Sequence, residues 1–136
     1  MAFLKAGISF AMIILVLSAC ATGPQPTKLA ETNRGATLLS AGITSYEEGE
    51  YDLADKNLKQ ALKLGLAAKA DQIKAHKFLA FIYCISGRPA LGEAEFRKAF
   101  ELDPKFALDP AEAGHPLWGH VYLKVKAYMV PVKKTS

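Results

Sequence analysis

The 136-residue sequence predicts an all-α protein: two helix-turn-helix units plus a C-terminal capping helix, stacked as a short α-solenoid. Three observations carry this expectation. The stretches YEEGEYDLADKNLKQALKLGL (46–66) and CISGRPALGEAEFRKAFELDP (84–104) match at a constant interval of 38 residues, pairing Gly49 with Gly87, Leu58 with Phe96, Ala61 with Ala99 and Leu64 with Leu102. Apolar residues within each recur at helical spacing. Glycine and proline stand where such helices would end or begin. Self-similarity on this scale marks stacked supersecondary units.

The elements follow in order. Lys5, an apolar run from Ala6 to Leu17 and the small residues Ser18 and Ala19 have the layout of a secretory signal. The run is shorter than the roughly 20 residues that cross a membrane. Residues 1–19 are therefore expected to be cut off. Residues 20–33 carry Thr22, Gly23, Pro24, Pro26 and Thr27, which suits a flexible tether. The helical domain is expected over 34–130, with a basic tail at 131–136. Its first helix reads over NRGATLLSAGITSYEEG and stops at Gly49, a residue suited to the position after a helix end. The second spans about Tyr51 to Leu64, with Leu53, Ala54, Leu58, Ala61, Leu62 and Leu64 on or near one face, and Gly65 turns the chain. The third spans about Ala68 to Ile85 and ends at Ser86-Gly87. The fourth starts at Pro89, which fits a first helical turn, and Asp103-Pro104 stops it. A loop with Pro110 and Gly114 leads to His115, expected to order the chain ahead of Pro116. From Pro116 to about Met129 the spacing of Leu117, Trp118, Val121, Tyr122, Val125 and Tyr128 predicts a fifth helix. It would cap the second unit, because two repeats alone are few. Trp118 reads as core, with a partner-binding anchor as the sharper alternative.

Composition narrows the function. A net charge of +4 is too weak to argue for nucleic acid. Glu47, Glu48, Glu50, Asp52 and Asp55 cluster early, and Lys124, Lys126, Lys133 and Lys134 late. These are two solvated surfaces, or the basic end meets anionic head groups or an acidic partner. His76, His115 and His120 make no zinc-binding spacing on one helix, and no glycine-rich phosphate loop is present. No enzyme, metal or free cofactor is expected. Cys84, in LAFIYCISG, reads as a small buried hydrophobe, with an intermolecular disulfide as the alternative in an oxidising compartment.

The repeat resembles the tetratricopeptide motif. The matching positions hold Leu38, Ala41, Gly42, Ser45, Ala54, Leu58, Ala61 and Leu66 in the first unit, and His76, Leu79, Ala80, Tyr83, Gly92, Phe96, Ala99 and Pro104 in the second. Gly42 facing Ala54, and Ala80 facing Gly92, would let helices approach closely, while Leu58 and Phe96 would wedge between neighbours. The motif's usual period is 34. The extra turn of helix is placed in GLAAKADQI, and the first unit lacks the closing proline. In such folds the first helix of each unit lines a groove. The resemblance transfers that role to Leu39, Ile43, Tyr46 and Glu47, and to Lys74, Lys77, Phe81, Cys84 and Ile85. A groove so lined suits an extended or helical peptide with an acidic end near Lys74 and Lys77. Alternatively the capping helix fills the groove, or two molecules pair through it, so a homo-oligomer is also compatible.

Leu17-Ser18-Ala19-Cys20 resembles the lipobox of bacterial lipoproteins. The resemblance implies that Cys20 carries a diacylglycerol group and an acyl chain, and that Ala21 favours sorting to the outer membrane, facing the periplasm. An ordinary secreted protein or an uncleaved N-terminal helix are the alternatives. The segments AHKFLAFIYCISGR, AEFRKAFELDP and DPAEAGHPLWGHV together resemble the TssQ-type tetratricopeptide lipoproteins of type VI secretion. His120 stands where that group usually has proline, and the second cysteine common near Gly92 is absent, which leaves Cys84 without the intramolecular partner relatives would offer. The resemblance implies an outer-membrane accessory or scaffold that docks a membrane-embedded or periplasmic protein of the secretion complex. A pilotin-like or outer-membrane assembly lipoprotein, serving a secretin, pilus or barrel component, is the alternative.

Overall fold

The computed structural model describes residues 27–130, and every regular element within them is helical. The order is α1 (Lys28–Glu47), α2 (Tyr51–Leu64), α3 (Lys69–Ile85), α4 (Pro89–Leu102), α5 (Pro110–Ala113) and α6 (Gly119–Met129). Helices α1 and α2 pair as one antiparallel hairpin and α3 and α4 as the next. Helix α3 also packs on α1 and α2, and α6 packs on α4. The all-α stack of two helical pairs with a C-terminal cap is the architecture the repeat predicts. The signal segment, Cys20 and the basic tail lie outside the described residues.

The turns follow from local chemistry. Gly49 and Gly87, one repeat apart, close α1 and α3 with φ of 80° and 70°, a region that costs side-chain-bearing residues steric strain. Gly65 ends α2 with φ 93°. Pro89 opens α4, where its missing N–H leaves nothing unsatisfied. Two boundaries depart from expectation. The tether was expected to run to residue 33, but α1 already begins at Lys28. The Thr27 hydroxyl accepts from the Ala30 N–H at 3.3 Å and caps it, and no proline follows to oppose the helix. The fifth helix was expected from Pro116, yet it starts at Gly119. The Leu117 N–H donates to His115 Nδ1 at 3.2 Å and the Gly119 N–H to the His115 carbonyl at 2.8 Å. These bonds hold 115–118 as a turn, and a separate short helix, α5, precedes it.

The helices of each pair touch at small residues. A Cβ on Gly42 would lie 2.8 Å from Leu58 Cγ and 3.2 Å from the Leu58 backbone nitrogen, so Gly42 lets α1 and α2 approach closely at Leu58. A Cβ on Gly92 would lie 2.6 Å from Cys84 Sγ and 3.1 Å from the Ala80 carbonyl, which places Gly92 against Ala80 as expected. Leu58 and Phe96 are fully buried at equivalent positions of the two pairs. Leu53, read as near the apolar face of α2, is exposed. Two buried clusters result. One joins α1, α2 and α3 around Leu39, Leu58 and Leu79. The other joins α3, α4, the following loop and α6 around Phe81, Phe96, Phe100, Trp118 and Tyr122. The second is aromatic-rich, and edge-to-face or offset contacts link its rings.

Candidate functional site: a strapped interhelical face

The groove residues expected from the repeat come from α1 and α3, and the structure divides them. Ile43 and Tyr46 are half-buried, Glu47 and Lys74 are exposed, and Ile85 is half-buried. Leu39 and Phe81 do not line an open groove. Leu39 packs into the first cluster and Phe81, 2 % exposed, into the second. Cys84 is likewise buried beside Gly92. Burial, with Glu93 nearby, pushes its thiol up to about 11, so it is a poor nucleophile.

The physical reason is a strap formed by residues 106–118. Trp118 stacks on Phe81 at 4.2 Å between ring centroids, and His115 stacks on Trp118 at 3.4 Å with the rings nearly parallel. The indole N–H donates to the Glu112 carbonyl at 2.9 Å. Trp118 is 6 % exposed and therefore core, as the sequence suggested. The covering element is not α6 itself but the turn before it and α5. Helix α5 is fixed by Glu112. One carboxylate oxygen accepts from Lys77 Nζ at 2.7 Å and the other from the Asp109 N–H at 3.2 Å. Lys77 also lies over the rings of Phe78 and Phe81, at 5.0 and 5.6 Å from their centroids. The acidic end expected of a peptide partner beside Lys77 is thus supplied by the chain's own Glu112.

Tyr46 belongs to the same face. It meets Phe78 edge to face at 5.0 Å and also lies against Tyr51 and Phe81. Burial first, then Tyr51 and Glu112, raise its phenol to about 12, so it stays protonated through the physiological range. What the strap leaves open is a recess of about 450 Å³ between the start of α3 and the loop after α4. Ala70, Ile73 and Phe106 give it apolar lining, while Lys74 and Lys105 bring cations and Asp103 and Asp109 carboxylates. Of the expected groove residues only Lys74 and Lys77 border it. Ile73, Lys105, Phe106 and Glu112 escaped the repeat-based transfer, because three of them lie outside the repeat. The one readable signal was Asp109-Pro110-Ala111-Glu112, an N-cap acid with Glu three residues on.

Elsewhere on α3, His76 Nδ1 and Glu95 Oε2 lie 2.6 Å apart, and Lys98 Nζ donates to Glu95 Oε1 at 2.7 Å. Burial raises the Glu95 carboxyl, but the bonds from His76 and Lys98 outweigh it and hold the group below the usual carboxylate range. This cluster ties α3 to α4. Among the described residues, no group of three or more His, Cys, Asp or Glu is placed to hold a metal ion. No helix of the described residues is long and apolar enough to cross a membrane.

No protein-family model, curated protein or solved structure matches the chain.

Proposed function

We propose that the protein is a lipid-anchored interaction module, held to the outer membrane through Cys20, that docks a segment of a partner protein and performs no reaction. The observation that carries the docking reading is the recess beside α3. Apolar Ile73 and Phe106 adjoin the exposed cations Lys74 and Lys105 on a rigid helical frame. Such a site takes a short extended or helical peptide whose apolar side chain enters the recess and whose carboxylate meets the lysines. The lipobox-like Leu17-Ser18-Ala19-Cys20 supports the anchor, and two acyl-type attachments hold a protein on a bilayer where one does not. Together with the segments that resemble type VI secretion lipoproteins, these features favour an accessory or scaffold role in that machine's envelope-spanning complex.

The test is co-purification from native membranes. The acylated protein is expected to bring down membrane subunits of the type VI machine. Recovery of secretin subunits in their place would move the assignment to a pilotin-like role. Lys74→Glu with Lys105→Glu should weaken capture at least about tenfold, the loss of one charge-assisted contact or more, with an unaltered helical circular-dichroism spectrum. Lys77 is a poor probe, because reversing it also breaks the bond to Glu112. Capture that ignores the double reversal would remove the recess from the proposal. Cys20→Ser should abolish partition into the detergent phase.

A further inference from the structure

One surface plays no part in that reading. From Gly114 to Ser136 the sequence has no Asp or Glu and carries Lys124, Lys126, Lys133 and Lys134; the last two lie outside the described residues. Helix α6 buries Val121, Tyr122 and Val125 against the rest of the fold. Away from that contact it shows Leu123, 55 % exposed, and Tyr128, 79 % exposed, with Ala127 and Val130 also exposed. At 100° per residue, Leu123 and Ala127 fall close to one line of the helix, and Val130 is the residue that caps its end. Lys126 flanks that line on one side and Lys124 on the other, while Tyr128 lies about 140° from Leu123, on the edge that faces α4. Lys124 pairs with Glu93 of α4, and the Arg97 guanidinium lies 5.9 Å from the Tyr128 ring centroid. Between α4 and α6 a recess of about 630 Å³ is lined by Glu93, Arg97, Lys124, Val125, Ala127 and Tyr128. Glu93 is the one carboxylate among them, so the patch stays net positive.

We propose that this side of α6 docks on an anionic phospholipid surface. Lys124, Lys126 and Arg97 meet headgroup phosphates, Leu123 and Val130 enter the boundary between headgroups and acyl chains, and Tyr128 reaches it from the edge beside Arg97. Apolar side chains interleaved with lysines on a helix that carries no acid of its own, beside the single carboxylate of Glu93, suit a flat, fluid, negatively charged partner. A tyrosine ring is at home at that depth. An acidic protein would satisfy the lysines but would need its own groove for Leu123, Tyr128 and Val130. A second copy is disfavoured, because apposing two such faces brings like charges together. The contact would hold the domain at the bilayer in a fixed orientation. It does not depend on acylation at Cys20.

Vesicle co-sedimentation tests it, with the chain from residue 20 onward carrying Cys20→Ser. This chain keeps every described residue and removes the acylation site. Binding is expected to vesicles of phosphatidylethanolamine with 30 % phosphatidylglycerol at about 0.1 M salt. It should be absent on zwitterionic vesicles and weaken as added salt screens the charges. Each lysine near an anionic surface contributes about fivefold, so Lys124→Gln with Lys126→Gln should lower the partition coefficient about 25-fold. Leu123→Ser with Tyr128→Ser should also lower it, and both pairs should keep the parent's melting temperature because the side chains are exposed. Equal binding to both vesicle types, no binding to either, or indifference to the α6 substitutions overturns the proposal. So does retention on soluble polyglutamate without vesicle binding, which would assign the face to an acidic protein. A loss caused wholly by Lys133→Gln with Lys134→Gln would overturn it too, by moving the contact to the tail.

Discussion

Gly92 and Cys84 show how tightly the second helical pair is set. Gly92 sits within α4, where alanine would gain about 1 kcal/mol of helix propensity. Its added Cβ would meet Cys84 Sγ at 2.6 Å and a backbone carbonyl at 3.1 Å, and overpacking typically costs about 1–3 kcal/mol. The clash wins, so Gly92→Ala should lower stability by about 1 kcal/mol net in a urea titration. In a Cys84→Ala background the sulfur is gone and the gain returns. A double-mutant cycle should therefore show positive coupling of about 2 kcal/mol. Zero coupling would mean that the carbonyl, not the sulfur, sets the spacing. Glu95 makes a second residue-scale case. It is 8 % exposed and acidic, and its carboxyl is held below the usual range by His76 and Lys98. A depressed carboxyl stabilises the fold fully above the unfolded-state value near 4.5 and loses that contribution as pH falls through the folded value. Glu95→Gln should cost about 1–2 kcal/mol at pH 7, the worth of a charge-assisted bond. The gap between variant and parent should narrow as titrations are taken from pH 5 toward pH 3. A gap that stays constant over that range would show that the carboxylate's charge is not what matters.

At the scale of elements, the strap decides what the α1 and α3 face can do. The repeat assigns the first helix of each pair to a groove, but it is silent on how an unrelated segment folds back. Asp109 and Glu112 start α5, His115 shapes the turn, and Trp118 lands on Phe81. Trp118→Ala should remove the stack and the bond to the Glu112 carbonyl, at a cost of about 3–5 kcal/mol. That is a large part of the 5–15 kcal/mol typical of a domain this size. Trp118→Phe keeps a ring on Phe81 and loses the N–H, so about 1 kcal/mol is expected. Thermal unfolding of the two variants would rank them. Near-equal melting temperatures would show that the indole's bulk is not what holds the strap. The Lys77–Glu112 pair is partly exposed, so its loss should cost about 1 kcal/mol or less. Its role is to set the position of α5, not to supply much energy.

Across the whole molecule, the two buried clusters differ in kind. The cluster of α1, α2 and α3 is mainly aliphatic and small. The cluster of α3, α4, α6 and the intervening loop holds Phe81, Phe96, Phe100, Phe106, Trp118 and Tyr122. Stacked helical pairs contact only their neighbours, so stability is distributed along the stack. Helix α1 lies at one end and buries only Gly35, Leu39, Gly42 and Ser45. Native-state hydrogen exchange should therefore show α1 amides opening at a free energy below the global value, with α3 and α4 exchanging only by complete unfolding. Equal protection in α1 and α4 would mean that the stack opens as one unit.

The sequence by itself determined the helical pairs. Gly49, Gly65 and Gly87 needed a left-handed or extended turn, Pro89 a first helical position, and the 38-residue interval a second copy of the same packing. These are local demands, and each was satisfied within a few residues of where it was read. Equivalent buried positions, such as Leu58 and Phe96, were legible for the same reason. Only the tertiary structure decided that Phe81 and Leu39 are core, that Lys77 already has its acid, and that the recess lies by Lys74, Phe106 and Lys105. Those outcomes depend on contacts between segments far apart in the chain, such as Lys77 with Glu112 and Phe81 with Trp118. Neither hydrophobic periodicity nor residue spacing encodes which of several apolar faces a distant tryptophan will cover.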